Sequence, residues 1–479
     1  MNRDIYLLSP RSLSPETIAV TFAKTSRSPQ SFREIATQLT DEKSAEFHEK
    51  WVVGYGHASV AEHAVLHIAF ENVSRLAIEA IESNRLASYT EKSTRYQKWD
   101  PDSFYTPRAI ADSKHADRYR NTCNHLFETY RRSLEPVKKW IESRFPRKEG
   151  ESEAKHDGRI RSKYVDNCRF SLPAAALANL GMTANARVYE NSIRKWLSHP
   201  LEEVREIGEE VKRVALGETP TLVKYAERVP YLAELKISSS AKSQISGTAR
   251  QTTANPPNPN DCVAVVDCDH EGEIKFLAAV LYRFSGLPFT EALTAVHGMD
   301  AAQRAALAND ALGQLDKYDT PLRELEHVTY TFDTVMDQGG YFEVKRHRMM
   351  TQTPQRLTCD LGYATPLAFE AAGFANEFRA AMDEAAETYH ALAVEFPEEA
   401  AYVVPNAFNR RLLMTLNLRE AFSFCELRTA PNAHFSVRRV AARVYEMIRE
   451  VHPLLARFMR CGDRPTSESI EREYFASTA

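Results

Sequence analysis

The sequence has no long hydrophobic run, no excess of one charge and no pattern of paired cysteines. No apolar stretch approaches the roughly 18 residues that span a bilayer, so no membrane partner is expected. The opening MNRDIYLLSP has too short an apolar stretch for a signal peptide. The 61 Lys and Arg nearly balance the 65 Asp and Glu, so no global basic field points to nucleic acid. The seven cysteines are odd in number and scattered, without a Cys-x-x-Cys pair. A disulfide framework is therefore not expected, and a cytoplasmic setting is. Cys262, Cys268 and His270 lie close together, but a fourth ligand and zinc spacing are missing, so no metal is expected. The glycine fingerprint of a Rossmann dinucleotide site is also absent.

What is present is a folded globular composition, 43% hydrophobic and 10% aromatic, at a length of 479 residues that suits two to four domains. The clearest break is the Ser-, Thr-, Asn- and Pro-rich stretch 237–261, which reads as a linker. After it the chain restarts. IYLLS (5–9) and VAVVD (263–267) both read as short strands leading into helical segments. Glu62-His63 precedes AVLHIAF as Glu326-His327 precedes VTYTF, and helical stretches follow, ending at Arg85 and Arg348. Apolar residues then recur at helical spacing, from Leu126 to Ile141 and from Phe374 to Leu392. Pro173 precedes Asn185-x-Arg187 by twelve residues, and Pro405 precedes Asn417-x-Arg419 by the same distance. Two homologous halves, 1–236 and 262–479, are expected. A charged insertion, 145–163, belongs to the first half only and reads as a solvated surface loop.

Two polar stretches carry chemistry. In SYTEKSTRY, Glu91, Ser93 and Arg95 alternate and project to one side of an extended segment. A guanidinium beside a hydroxyl grips phosphate, and a carboxylate suits a hydroxyl or ring N–H, which together suit a nucleotide or sugar phosphate. The same residues also fit a salt-bridged surface turn. KRHRMM similarly fits either a diphosphate or solvated charge at a helix end.

Read in order, GHASVAEH (56–63), SYTEKSTRY (88–96), NCRFSLP (167–173) and TANAR (183–187) resemble the flavin-dependent thymidylate synthases (ThyX). That family's signature is Arg-His-Arg, seven residues, then Ser. Here Ser83-Asn84-Arg85 stands in the triplet's place before Ser93. The second half keeps Arg346-His347-Arg348 but has Arg356 where the serine belongs. The resemblance implies an α+β fold of two ThyX-like domains, each a small, mostly antiparallel sheet packed with long helices. It implies uridylate binding by Glu91, Ser93, Arg95 and Arg169, whose counterpart in the second half is Ala401. It implies a ring-polarising Arg428, whose counterpart in the first half is Trp196, with Arg346 also on the substrate and Ser93 positioning it. FAD contacts are implied for Ser59, Asn185, Arg187 and Asn191, and for Arg346, His347 and Arg348. In the second half Ser423 replaces the last Asn.

The losses are complementary, so composite sites are expected, the uridylate loop coming from the first half and the triplet from the second. The implied reaction is C5-methylation of dUMP to dTMP with methylene tetrahydrofolate and NADPH as co-substrates. The implied assembly is a homodimer that forms a pseudo-tetramer. Two alternatives stay open: a related flavin and folate enzyme acting on another uridine nucleotide, to which Glu343 draws attention because the family usually has Gln there, and a non-catalytic nucleotide- or flavin-binding scaffold.

Overall fold

The computed structural model describes residues 4–92, 99, 103–235 and 262–476. The expected linker, together with Ser93 and Arg95, lies outside the described residues. The chain folds as two α+β units, each around a small antiparallel sheet. The first sheet has the order β1-β3-β2, with β1 Val65–Ser74, β2 Ala87–Glu91 and β3 Leu177–Asn185. The second runs β4-β5-β7-β6, with β4 Val263–Cys268, β5 Thr329–Asp337, β6 Thr351–Pro354 and β7 Asn409–Asn417.

The central strands β3 and β7 match residue for residue at an offset of 232 positions (417 − 185). Ala178, Leu180, Met182 and Ala184 point into one core as Leu412, Met414 and Leu416 point into the other, while the buried Arg410 pairs with Glu79 across the junction. The period of two places every second side chain on the buried face. Each strand ends in an asparagine that caps the next helix. Asn185 Oδ1 accepts from Val188 N at 3.0 Å and Asn417 Oδ1 from Glu420 N at 2.9 Å, opening helices Ala186–Leu197 and Leu418–Arg428. The arginine two positions on pairs with the glutamate of the Glu-His pair: Arg187 with Glu62, and Arg419 with Glu326 at 2.7 Å. The two short motifs that mark the repeat are thus one local device, built twice.

The halves share a core. Helix Ala116–Arg144 packs against Ala375–Ala393, and their buried residues, among them Phe127, Tyr130, Phe378 and Met382, belong to one apolar cluster. Each such side chain contributes about 1.5–3 kcal/mol by leaving water. The two proline turns pair about a pseudo-twofold axis. Ala174 N donates to Val404 O at 2.9 Å and Asn406 N to Leu172 O at 2.9 Å; Ala175 N donates to Tyr402 O at 2.8 Å and Ala407 N to Phe170 O at 3.0 Å. Every bond of one half recurs in the other at the same offset.

Two expectations need correction. Residues 5–9 form no strand: Ile5 is 86% and Leu7 82% exposed, and β1 has no neighbour on its outer edge among the described residues, whereas β4 pairs with β5. An alternating apolar stretch becomes a strand only where an edge accepts it. The insertion 145–163 is not all loop. Ser152 Oγ caps helix Glu153–Cys168 by accepting from Lys155 N at 3.4 Å, and Ile160, Tyr164 and Val165 bury one face of it. Helical spacing was there, hidden under a high density of charge.

Candidate functional site

β2 delivers Glu91 into the junction between the halves. Its side chain is 3% exposed, and its carboxylate pairs with Arg75, from the first turn after β1, and with Arg346 Nη2 at 3.2 Å. A carboxylate withdrawn this far from water needs such partners. Arg346 comes from the second half, so the structure joins the two incomplete motifs within one chain. Arg75 in turn lies over the ring of Phe342, 4.0 Å from its centroid, again from the other half. Burial pulls the Arg75 guanidinium down to about 9; the nearby Glu82 opposes this, while Arg169 and Arg346 add to it.

Arg169 follows the insertion helix and is buried beside this cluster. Its carbonyl accepts from Asn406 Nδ2 at 2.9 Å, which ties it to the second half's proline turn. Arg428, at the last turn of helix Leu418–Arg428, is also largely buried. Its Nη1 donates to Glu343 Oε2 at 2.5 Å and its Nε to His347 Nε2 at 2.9 Å. That bond leaves the ring proton on Nδ1, which faces Glu420 Oε1 at 2.9 Å. Both ring nitrogens of His347 are therefore occupied inside the protein, and the ring fixes where Arg428 points.

Glu91, Arg169, Arg346, His347 and Arg428 thus gather in one region, with Arg348 on the same turn as Arg346. Ser93 and Arg95 are outside the described residues. Ser59, Asn185, Arg187 and Asn191 make no hydrogen bond or ion pair to this cluster among the described residues. Asn185 lies five residues along β3 from Leu180, the partner of Glu91, about 17 Å away. Ser59 instead lines a separate cavity of about 530 Å³ with Phe22, Trp51, His63, Lys24 and Arg27. Rings and cations in one cavity suit a planar ring bearing phosphate, which is the chemistry of a flavin nucleotide. Cys268 Sγ sits 3.7 Å from His270 Nδ1, and no group of three metal-ligating side chains occurs among the described residues.

Several participants carried no usable signal. Arg75 sits in SRLAIEAI, which otherwise reads as a core helix, and its burial follows from a partner 16 positions away. Glu82 and Lys345 form a buried ion pair at 2.9 Å on the pseudo-twofold axis. They occupy equivalent positions, 263 apart like Arg85 and Arg348 (345 − 82). In two identical halves that position would bring like charges together; divergence has made them complementary. Lys345, Arg346 and Arg75 outweigh the effect of burial and hold the Glu82 carboxyl below the ordinary carboxylate range.

A family described as thymidylate synthase complementing protein matches residues 8–221 and 265–454. The chain belongs to that family. Its relatives of similar length include a UPF0159 protein of Chlamydia pneumoniae, 31% identical over 433 residues, covering 88% of this chain and 81% of the relative. A UPF0159 protein of Thermoplasma acidophilum is 27% identical, covering 88% and 90%. A flavin-dependent thymidylate synthase of Clostridium tetani is 28% identical over 222 residues, covering 82% of that protein but 44% of this chain. Most of that family member thus aligns with less than half of the chain. The fold of a UMP/dUMP methylase of Streptomyces cacaoi, solved with 5-bromo-dUMP, aligns at a TM-score of 0.33 and 16% identity over 41% of this chain and 93% of its own. No helix among the described residues is long and apolar enough to cross a membrane.

Proposed function

We propose that the chain is a tandem flavin-dependent thymidylate synthase with one composite site, assembled from Glu91, Ser93, Arg95 and Arg169 of residues 1–236 and from Arg346 and Arg428 of residues 262–479. The observation that carries this reading is the Glu91–Arg346 contact, which brings the surviving part of each half together. Arg95, Arg169 and Arg346 would hold the uridylate phosphate, since guanidinium forks match its oxygens. Glu91 would accept from a sugar hydroxyl, and Ser93 would orient the nucleotide. Arg428, held by His347 and largely shielded from water, would face the pyrimidine ring and stabilise negative charge that develops on it. When bound, FAD would supply the hydride that converts a methylene carbon from methylene tetrahydrofolate into a methyl group, with NADPH restoring the reduced flavin. Arg346 would meet its phosphates, and the cavity at Ser59 supports a ring-binding role. That cavity and the triplet belong to different parts of the chain, which favours two chains pairing as a homodimer with pseudo-tetrameric symmetry.

Glu343 favours a second reading, the same chemistry on another uridine nucleotide. It stands where the family usually has Gln, and its carboxylate neutralises Arg428. The test is methylation of dUMP and UMP with FAD, NADPH and methylene tetrahydrofolate. Wild type should convert dUMP, and Arg169→Ala, Arg346→Ala and Arg428→Ala should each lose about 100-fold or more in kcat. Silent substitutions in either half would sink the composite site; preference for UMP would select the second reading.

A further inference from the structure

The pseudo-twofold axis that builds the composite site also builds its twin. In the twin, Ser83-Asn84-Arg85 stands for the triplet, Trp196 for Arg428, Ala401 for Arg169 and Pro354 for Glu91. The residues proposed for methylation are gone, yet the place has not closed. It is a cleft of about 660 Å³, and its lining includes Arg85, Trp196, Arg348, Pro354 and Ala401.

Its charge has not been neutralised either. The carboxylates that line it are already taken: Glu79 by Arg410 at 2.7 Å, Glu82 by Lys345 at 2.9 Å, and Glu398 by Arg356. Three lining cations have only uncharged partners among the described residues. Arg85 Nη2 donates to Thr351 Oγ1 at 3.0 Å and to Met350 O at 3.3 Å. Arg348 Nη1 donates to Arg85 O at 2.6 Å, and Lys195 Nζ to Asn84 Oδ1 at 3.1 Å. Arg348 and Lys195 thus bond to Arg85 and Asn84, and Arg85 to the facing Met350–Thr351, without a carboxylate partner among the described residues. Cations without counter-charges lining one cleft favour an anion there. Trp196, Tyr341 and Tyr389 reach the same cleft with the edges of largely buried rings, and its volume suits a ligand of nucleotide size.

We propose that this cleft is a second, non-catalytic site for a nucleoside phosphate, its phosphate held by Arg85, Lys195 and Arg348 and its base against the ring edges that reach the cleft. The proposal rests on the internal symmetry and on the unbalanced cations, not on the methylation reading. Equilibrium binding by the full-length Arg169→Ala chain, whose composite site is damaged, tests it with dTMP, ATP and inorganic pyrophosphate as probes. At least one nucleotide should bind at one per chain. Arg85→Ala or Lys195→Ala added to that background should weaken binding tenfold or more, and added salt should weaken it in the parent. Both side chains are exposed, and an unchanged thermal melt verifies that the variants fold. Failure of both nucleotides to bind at millimolar concentration would overturn the proposal, as would binding indifferent to both substitutions. Pyrophosphate binding as tightly as the nucleotides would reduce the cleft to an anion site and overturn the nucleoside assignment.

Discussion

At the scale of the residue, the proposed chemistry turns on how Arg428 is held. Its guanidinium is shared between the carboxylate of Glu343 and the ring of His347, and Glu420 fixes that ring from the other side. His347→Ala removes the neutral partner and leaves Glu343 to draw the guanidinium toward itself. The expected outcome is a fall in kcat of about tenfold or more, with KM for the nucleotide changed less. Glu343→Gln keeps a hydrogen-bonding oxygen but removes the counter-charge, which strengthens the field of Arg428 at the ring. It should hold or raise kcat on dUMP; steady-state kinetics on the two variants reads both effects. The sequence made Arg428 and His347 visible as members of a pattern, and Glu343 visible as an oddity in it. It could not show that the three touch, because the contacts cross from one helix to the turn after another.

At the scale of the element, the helix after β1 is set by a capping device that also crosses the junction. Ser74 caps helix Arg75–Ile81, and Glu203 accepts from Ser74 N at 2.9 Å, from Ser74 Oγ at 2.6 Å and from Tyr402 Oη at 2.7 Å. Arg75, the first residue of that helix, takes its position from this arrangement. Glu203→Ala leaves buried donors unpaired and should cost about 2–4 kcal/mol in denaturant unfolding, with weaker uridylate binding as Arg75 shifts. Periodicity revealed the long helices well, since Leu126 to Ile141 and Phe378 to Leu392 follow the core. It misjudged two elements for opposite reasons. Residues 5–9 have the apolar content of a strand but no edge to pair with, and residues 153–163 have the spacing of a helix under a surface of charge. A local pattern reports what a segment prefers; which neighbour is there to receive it is decided elsewhere in the chain.

At the scale of the whole molecule, tandem duplication allows what a symmetric dimer forbids: equivalent positions that differ. The Glu82–Lys345 pair is the most direct mark of this. Glu82→Gln leaves a buried lysine without a counter-charge and should destabilise the protein by roughly 3–5 kcal/mol at neutral pH. The folded-state pKa of Glu82 is depressed, so its contribution is present above the ordinary carboxylate value of about 4.3 and fades as pH falls through the folded value. The stability gap between wild type and Glu82→Gln should therefore narrow on acidification below about pH 4. Exchanging the charges, Glu82→Lys with Lys345→Glu, should recover most of the loss that Glu82→Lys alone produces. The repeat itself was legible from Asn185-x-Arg187 and Asn417-x-Arg419, because local capping fixes their spacing. The axis between the halves was not, because shared spacing marks equivalent positions without showing which of them touch. In solution the assembly should have twice the 54.3 kDa of one chain, as light scattering would read.

The central claim is that one chain supplies both parts of the site. Arg169→Ala and Arg346→Ala each damage one part, and mixed dimers of the two variants, made by co-expression with different tags, separate the possibilities. If the site lies within a chain, every chain in the mixture carries a broken site, and dUMP methylation should stay as low as in either variant alone. Recovery of a substantial fraction of wild-type activity in the mixed dimer would mean that the site forms between chains, and would contradict the account.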